Sequence, residues 1–265
     1  MGGTGFCYDS SMVFLASAVL FVFGTIIASF VGVVAGRLNT GQGFLVGRSR
    51  CDACDAPLSP YSIVPIISYA LFGGRARCCG VLLSASSPIT ELLLGTLFVL
   101  SYLKLGFTPV LPILLISLSA LLALVLYDLA HQILPPLPLA IFVAASIVTG
   151  FFLAQSFSAF SSSLITPLLI AVSLSLIHFL SHGRAMGFAD APLSFGLAVL
   201  SGPAALPGFI FSFWIGAAIG IVLLARRPSG SRMGVEVPFA PFLAAGFLLA
   251  FFTQWNPFIF IEDLL

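Results

Sequence analysis

Eight stretches of this chain are apolar almost without interruption, and polar breaks separate them. Taking about 20 apolar residues as one bilayer crossing, the pattern predicts helices over residues 11–36, 87–104, 109–127, 136–154, 163–180, 188–201, 205–225 and 238–256. The sixth is short, bounded by Gly187 and by the Gly202-Pro203 break. The first runs well beyond the roughly 7–15-residue apolar core of a signal peptide and has no Lys or Arg before it, so it reads as a retained span. Its Gly24, Ser29, Gly32 and Gly36 suit close helix packing.

Composition turns this pattern into a class. Hydrophobic residues make up 60% of the chain and charged residues only 7%, with a mean hydropathy of +1.18. A soluble domain carries about 25% charged residues, so this chain cannot cover a water-facing surface. It reads as an all-α integral membrane protein of about eight transmembrane helices, with the lipid bilayer as solvent. The net charge of +1 and the lack of a basic run give no reason to expect nucleic acid as a partner.

Charge also sets orientation. Arg37, Arg48, Arg50, Arg75 and Arg77 follow the first span, Arg184 follows the fifth, and Arg226, Arg227 and Arg232 follow the seventh. With eight crossings these nine cations share one face, and only Lys104 lies on the other. The positive-inside rule makes the shared face cytoplasmic and puts both termini outside. Residues 1–36 are then a first transmembrane helix, 37–86 a sizeable cytoplasmic loop with cysteines, and 87–265 a core of about seven helices.

Only nine carboxylates occur, and two lie at the edges of apolar runs: Asp128 after Leu121–Tyr127, and Asp190 in Gly187-Phe188-Ala189-Asp190. A carboxylate at the edge of hydrocarbon is costly and points to a functional site with a partner. The predicted topology carries both to the cytoplasmic face at one depth. Two acids a few ångströms apart share a proton, so one can deprotonate water while the other polarises a peptide carbonyl. That is aspartic-protease chemistry and needs no cofactor. Gly187 and Ala189 are small enough for a substrate backbone to approach, and His131 and Gln132 stand where they could orient Asp128, or simply sit as polar loop residues at the interface. Paired acids also relay protons, so a proton-coupled transporter is the rival reading.

The loop holds Cys51-Asp52-Ala53-Cys54 and later Arg77-Cys78-Cys79-Gly80. Cys51, Cys54, Cys78 and Cys79 suit a structural zinc site of four thiolates, yet adjacent cysteines reach one tetrahedral ion awkwardly, so metal-bound and metal-free loops both stay open. His178 and His182 are spaced i, i+4, the spacing of metal ligands on one helix face, but no further ligand lies beside them in sequence.

Taken in order, the motifs resemble those of bacterial type IV prepilin peptidases, membrane aspartic peptidases that also serve type II secretion. The family's C-P-x-C and G-R-C-R-x-C-G are matched by Cys51–Cys54 and Gly74–Gly80, and its P-x-x-E-x-x-x-G by Pro88-Ile89-Thr90-Glu91 with Gly95. Its D-x-D-x-x-x-L-P falls on Asp128–Pro135, its G-x-G-D on Gly187–Asp190, and its I-P-F-G-P-x-L-A on Val237–Ala244. The resemblance implies that Asp128 and Asp190 are catalytic and that prepilins or pseudopilins lose a short basic leader at the cytoplasmic face of the inner membrane. It also implies methylation of the new N-terminus from S-adenosylmethionine, with Glu91 and Gly95 as candidate residues. A degenerate, non-enzymatic pilus-assembly component is the second alternative. The chain departs from the family at Ala76 (third cysteine), Ala130 (second Asp), Ala189 (Gly), Ala191-Pro192 (Val-Lys) and Gly32 (Asn).

Overall fold

A computed structural model describes residues 10–38, 54, 56, 69, 71–82, 84–184, 186–225 and 238–255. It divides into two compact units, Met1–Thr108 and Pro109–Leu265. Among the described residues all regular structure is helical, apart from one isolated antiparallel bridge between Arg75 and Leu82.

The first unit pairs α1 (Ser10–Arg37) with α2 (Ser86–Leu105). Their closest approach is glycine against glycine. A Cβ built on Gly24 would lie 2.8 Å from Gly95 Cα, and one on Gly95 would lie 3.0 Å from Phe21 and Thr25 atoms. In lipid, where apolar burial gives no net drive, such backbone proximity is what holds helices together. Gly32 and Gly36 do not contribute in this way, since each would meet nothing within 4 Å, whereas Ala28, Val31 and Ala35 of the same helix are buried.

The second unit contains α3 (Val110–His131), α4 (Pro136–Leu153), the short α5 (Phe157–Ser163), α6 (Ile165–Leu180), α7 (Asp190–Ser201), a 3₁₀ turn (Gly202–Ala204), α8 (Ala205–Ala225) and α9 (Ala240–Thr253). At its centre is α7, which packs against α4, α6, α8 and α9 and buries ten of its twelve residues. Small side chains permit this. A Cβ on Gly196 would stand 2.7 Å from the Phe142 ring of α4, and one on Gly150 of α4 would stand 2.7 Å from Val199. The helix stops where Gly202 takes φ 55° and Pro203 follows. Hydroxyls tie the neighbours across helices: Ser201 Oγ donates to Phe247 O of α9, and Ser212 Oγ of α8 donates to Leu243 O of α9, both at 3.3 Å.

Every predicted apolar stretch contains a helix, but length qualifies the count of eight crossings. Six stretches are long and apolar enough to cross a membrane: Ser10–Arg37, Ser86–Leu105, Val110–His131, Pro136–Leu153, Phe157–Leu180 and Asp190–Leu223. The last joins α7, the 3₁₀ turn and α8. Alone, the twelve-residue α7 rises about 18 Å and the fourteen-residue α9 about 21 Å, short of a hydrocarbon core about 30 Å thick. The chain is thus a multi-pass membrane protein, with six stretches among the described residues long and apolar enough to cross. α5 was not foreseen, because Phe157-Ser158-Ala159-Phe160-Ser161-Ser162-Ser163 has no apolar run; its cue is Ser156, whose hydroxyl accepts from the Ala159 N–H as an N-cap.

Candidate functional site

Four helix ends of the second unit meet around the two acids. Asp128 lies in the last turn of α3 and Asp190 is the first residue of α7; both are buried, at 6% and 8% exposure. The two are close enough for their charges to interact, and His178, in the last turn of α6, is also within electrostatic range of Asp190.

A backbone N–H at a helix start orients each carboxylate. Asp128 Oδ2 accepts from the N–H of Ala240, the first residue of α9, at 3.1 Å. The first N–H groups of a helix lack partners within it and carry its positive dipole end, so an anion from α3 satisfies both demands. Asp190 Oδ2 reaches back to the N–H of Gly187 at 3.2 Å, while the Asp190 N–H donates to Gly187 O at 3.3 Å. The second oxygen of each carboxylate has no hydrogen-bond partner among the described residues. Two acids so held keep one oxygen apiece for a water molecule or a substrate carbonyl. Pro192, which replaces the family's Lys, fits here: it falls in the first turn of α7, where its missing N–H forgoes little.

The flanking residues contribute in different ways. A Cβ on Gly187 would meet only Asp190 Oδ2, at 3.6 Å, so the exposed face around Gly187 is open. Ala189 is half-buried and precedes α7 as its N-cap. His131 is exposed, with its ring 4.4 Å from that of Tyr127. Gln132 ends α3 at φ 56° and donates its N–H to Asp128 O at 2.8 Å. The backbone of Gln132 therefore closes the helix turn that carries Asp128. His178 and His182 do not share a helix face, because α6 ends at Leu180 and His182 takes φ 51°.

In the first unit, Glu91 is 4% exposed and accepts from Ser87 Oγ at 3.2 Å. Gly95 is the point where α2 touches α1, which gives it a packing role. The thiols of Cys54, Cys78 and Cys79 are exposed, and their sulfurs all lie within 4.8 Å of one another; Cys51 is outside the described residues. The turn bearing Cys78 and Cys79 is closed by Ala76 N–H to Val81 O (2.8 Å) and Gly80 N–H to Ala76 O (2.7 Å), with Gly80 at φ 70°. Buried Ala76, at 4% exposure, serves as the floor of this turn, and Cys78 joins the cluster in its stead.

Comparison with known proteins places the chain in a lineage. The model of the Bacterial Peptidase A24 N-terminal domain matches residues 22–105, covering most of α1, the cysteine loop and α2. A prepilin leader peptidase/N-methyltransferase of Klebsiella pneumoniae is 32% identical over 208 residues, which cover 73% of this chain and 89% of that protein. The chain belongs to the prepilin leader peptidase/N-methyltransferase family. The relative of the same name from Myxococcus xanthus is 33% identical over 82% of this chain and 66% of its own length. The Bacillus subtilis relative is 26% identical over 88% of this chain and 93% of its own. No solved structure matches the chain significantly. Membership in this family makes the chain an enzyme and disfavours the transporter and assembly-factor readings.

Proposed function

We propose that this chain is a membrane aspartic endopeptidase that removes the leader of prepilins or pseudopilins, with Asp128 and Asp190 as its catalytic pair. One observation carries the reading: two buried carboxylates, 62 positions apart, converge with one oxygen of each anchored and the other available. Sharing one proton, the ionised acid takes a proton from water as the water attacks the scissile carbonyl, and the protonated acid donates to that carbonyl's oxygen. Proteolysis of this kind needs no cofactor. The open face at Gly187 and Ala189 gives an extended substrate backbone room, and His131 and Gln132 flank its path. Leader cleavage in membranes containing Asp128→Asn or Asp190→Asn protein is the direct test.

The site faces the cytoplasm in this reading, and both termini face the periplasm. Arg184 and the Arg226–Arg232 group share a face only if α7 and α8 together return the chain to the side it left, as a break at Gly202 allows. Residues 1–36 then serve as an anchor, 37–86 as a cytoplasmic cysteine loop, and 87–265 as the peptidase core.

N-methylation is the second activity. S-adenosylmethionine, as a sulfonium cation, supplies the methyl group, and the buried Glu91 carboxylate has the charge to hold such a cation. Glu91→Gln is expected to leave leader removal intact and abolish methylation, read by mass spectrometry of the mature pilin N-terminus. A methylated product from that variant would rule out Glu91.

The clustered thiols suit a thiophilic ion, and Cys51, Cys54, Cys78 and Cys79 would hold structural zinc as a thiolate set. Elemental analysis of purified protein is expected to find about one zinc per chain, lost in Cys54→Ser. Metal-free protein of full activity would remove the zinc assignment.

A further inference from the structure

His178 is not part of the chemistry assigned above, yet the hydrogen bond of its ring ends beside that chemistry. Its Nδ1 lies 2.9 Å from Met186 O, eight residues on, across the turn leaving α6. A carbonyl oxygen can only accept, so Nδ1 carries the proton and donates. Met186 C=O and Gly187 N–H are the two ends of one planar amide, pointing to opposite sides. The far end of that amide is the group that donates to Asp190 Oδ2 at 3.2 Å.

We infer that His178 is a positioning residue for Asp190, acting through the Met186–Gly187 peptide group. This rests on the reading of Asp190 as a catalytic acid. The imidazole holds the amide plane, and the amide holds the carboxylate. Rotation of that plane would break both bonds together, so neither is as free to drift as a lone loop contact. Donation into the carbonyl also polarises the amide and strengthens its N–H as a donor to Asp190.

The ring itself is held by its neighbours. It stands 5.6 Å from the Phe188 ring and 5.5 Å from that of Phe179. Gly183, at φ 75°, lies close enough that a Cβ there would be 3.3 Å from His178 Cε1, and its N–H donates to His178 O at 2.9 Å. The turn after α6 thus folds around the imidazole, and the segment leading to Asp190 hangs from it.

Steady-state cleavage of a leader-bearing prepilin peptide by the full chain in detergent tests this. His178→Phe keeps the ring contacts but has no donor, and kcat is expected to fall about tenfold with KM within about twofold. His178→Asn sets an amide N–H near the Nδ1 position and is expected to recover to within about threefold of the parent, whereas His178→Gln, whose amide reaches the Nε2 position, is not. Parental kcat in His178→Phe overturns the inference, as does Gln rescuing as well as Asn. The Asn–Gln comparison decides the matter if the Phe variant fails to accumulate. Asp190→Asn is run alongside: cleavage surviving there would overturn the catalytic reading itself, while cleavage lost there with His178→Phe unimpaired overturns only the role of His178.

Discussion

Asn at position 128 or 190 is expected to lower the rate of leader removal by about 10²–10⁴-fold while the protein accumulates and stays folded. The measurement is conversion of precursor to mature pilin in membranes, beside immunoblots for enzyme level. Asn is chosen because each carboxylate accepts one backbone N–H, from Ala240 or from Gly187, and an amide oxygen can accept it too. The hydrogen bond that orients the side chain therefore survives, and what is removed is the exchangeable proton and the charge. A pair that shares a proton fails when either member is lost, so the two variants should be equally impaired and the double variant little worse than either. Parental processing by either variant would end the assignment of the pair. Solute uptake that follows a pH gradient and is lost in the same variants would instead favour proton transport, the alternative that paired acids in a membrane always raise.

The acids were legible because their cost was legible. With nine carboxylates in 265 residues, two at the margins of apolar runs stand out, and counting arginines predicts one face for both. The apolar stretches were equally clear, since hydrocarbon demands helices and long apolar runs have no other stable form there. The division of those helices into crossings was not, because α7 and α9 are apolar for packing inside the second unit as much as for lipid, and apolar content alone cannot tell the two apart.

What holds the acids in place was hidden for a different reason. The donors are backbone N–H groups of Ala240 and Gly187, and a main-chain donor leaves no mark in the residue alphabet. The Val237–Ala244 segment stands out as a pattern, but nothing in its letters says that the N–H of Ala240, its fourth residue, would donate to an acid of α3. The i, i+4 spacing of His178 and His182 suggests a shared face only while the helix continues, and α6 ends between them at Leu180. Ala76 departs from the family's third cysteine, and the letter alone does not say that a buried alanine sits under the turn that carries Cys78 beside Cys54 and Cys79.

Gly246→Val is expected to be the most damaging single change away from the acids, costing about 1–3 kcal/mol or more and cutting leader cleavage along with stability. Gly246 lies in α9 directly against Ser212 of α8. A Cβ there would collide with Ser212 N and Oγ and stand 2.6 Å from Ser212 Cα, so backbone on both sides would have to move. The same contact carries the Ser212 Oγ bond to Leu243 O, which would be lost as the helices separate. Displacement at Gly246 reaches the site because α9 begins at Ala240, whose N–H orients Asp128. Thermal unfolding of the detergent-solubilised protein and cleavage rate are therefore expected to fall together. Gly220→Ala is the matched control: it lies on α8, a Cβ there meets nothing within 4 Å, and alanine favours the helix by up to about 1 kcal/mol. A Gly246→Val protein as stable and active as the control would mean that α8 and α9 do not need their close approach. The path from packing to Asp128 would then have to run through α3 alone.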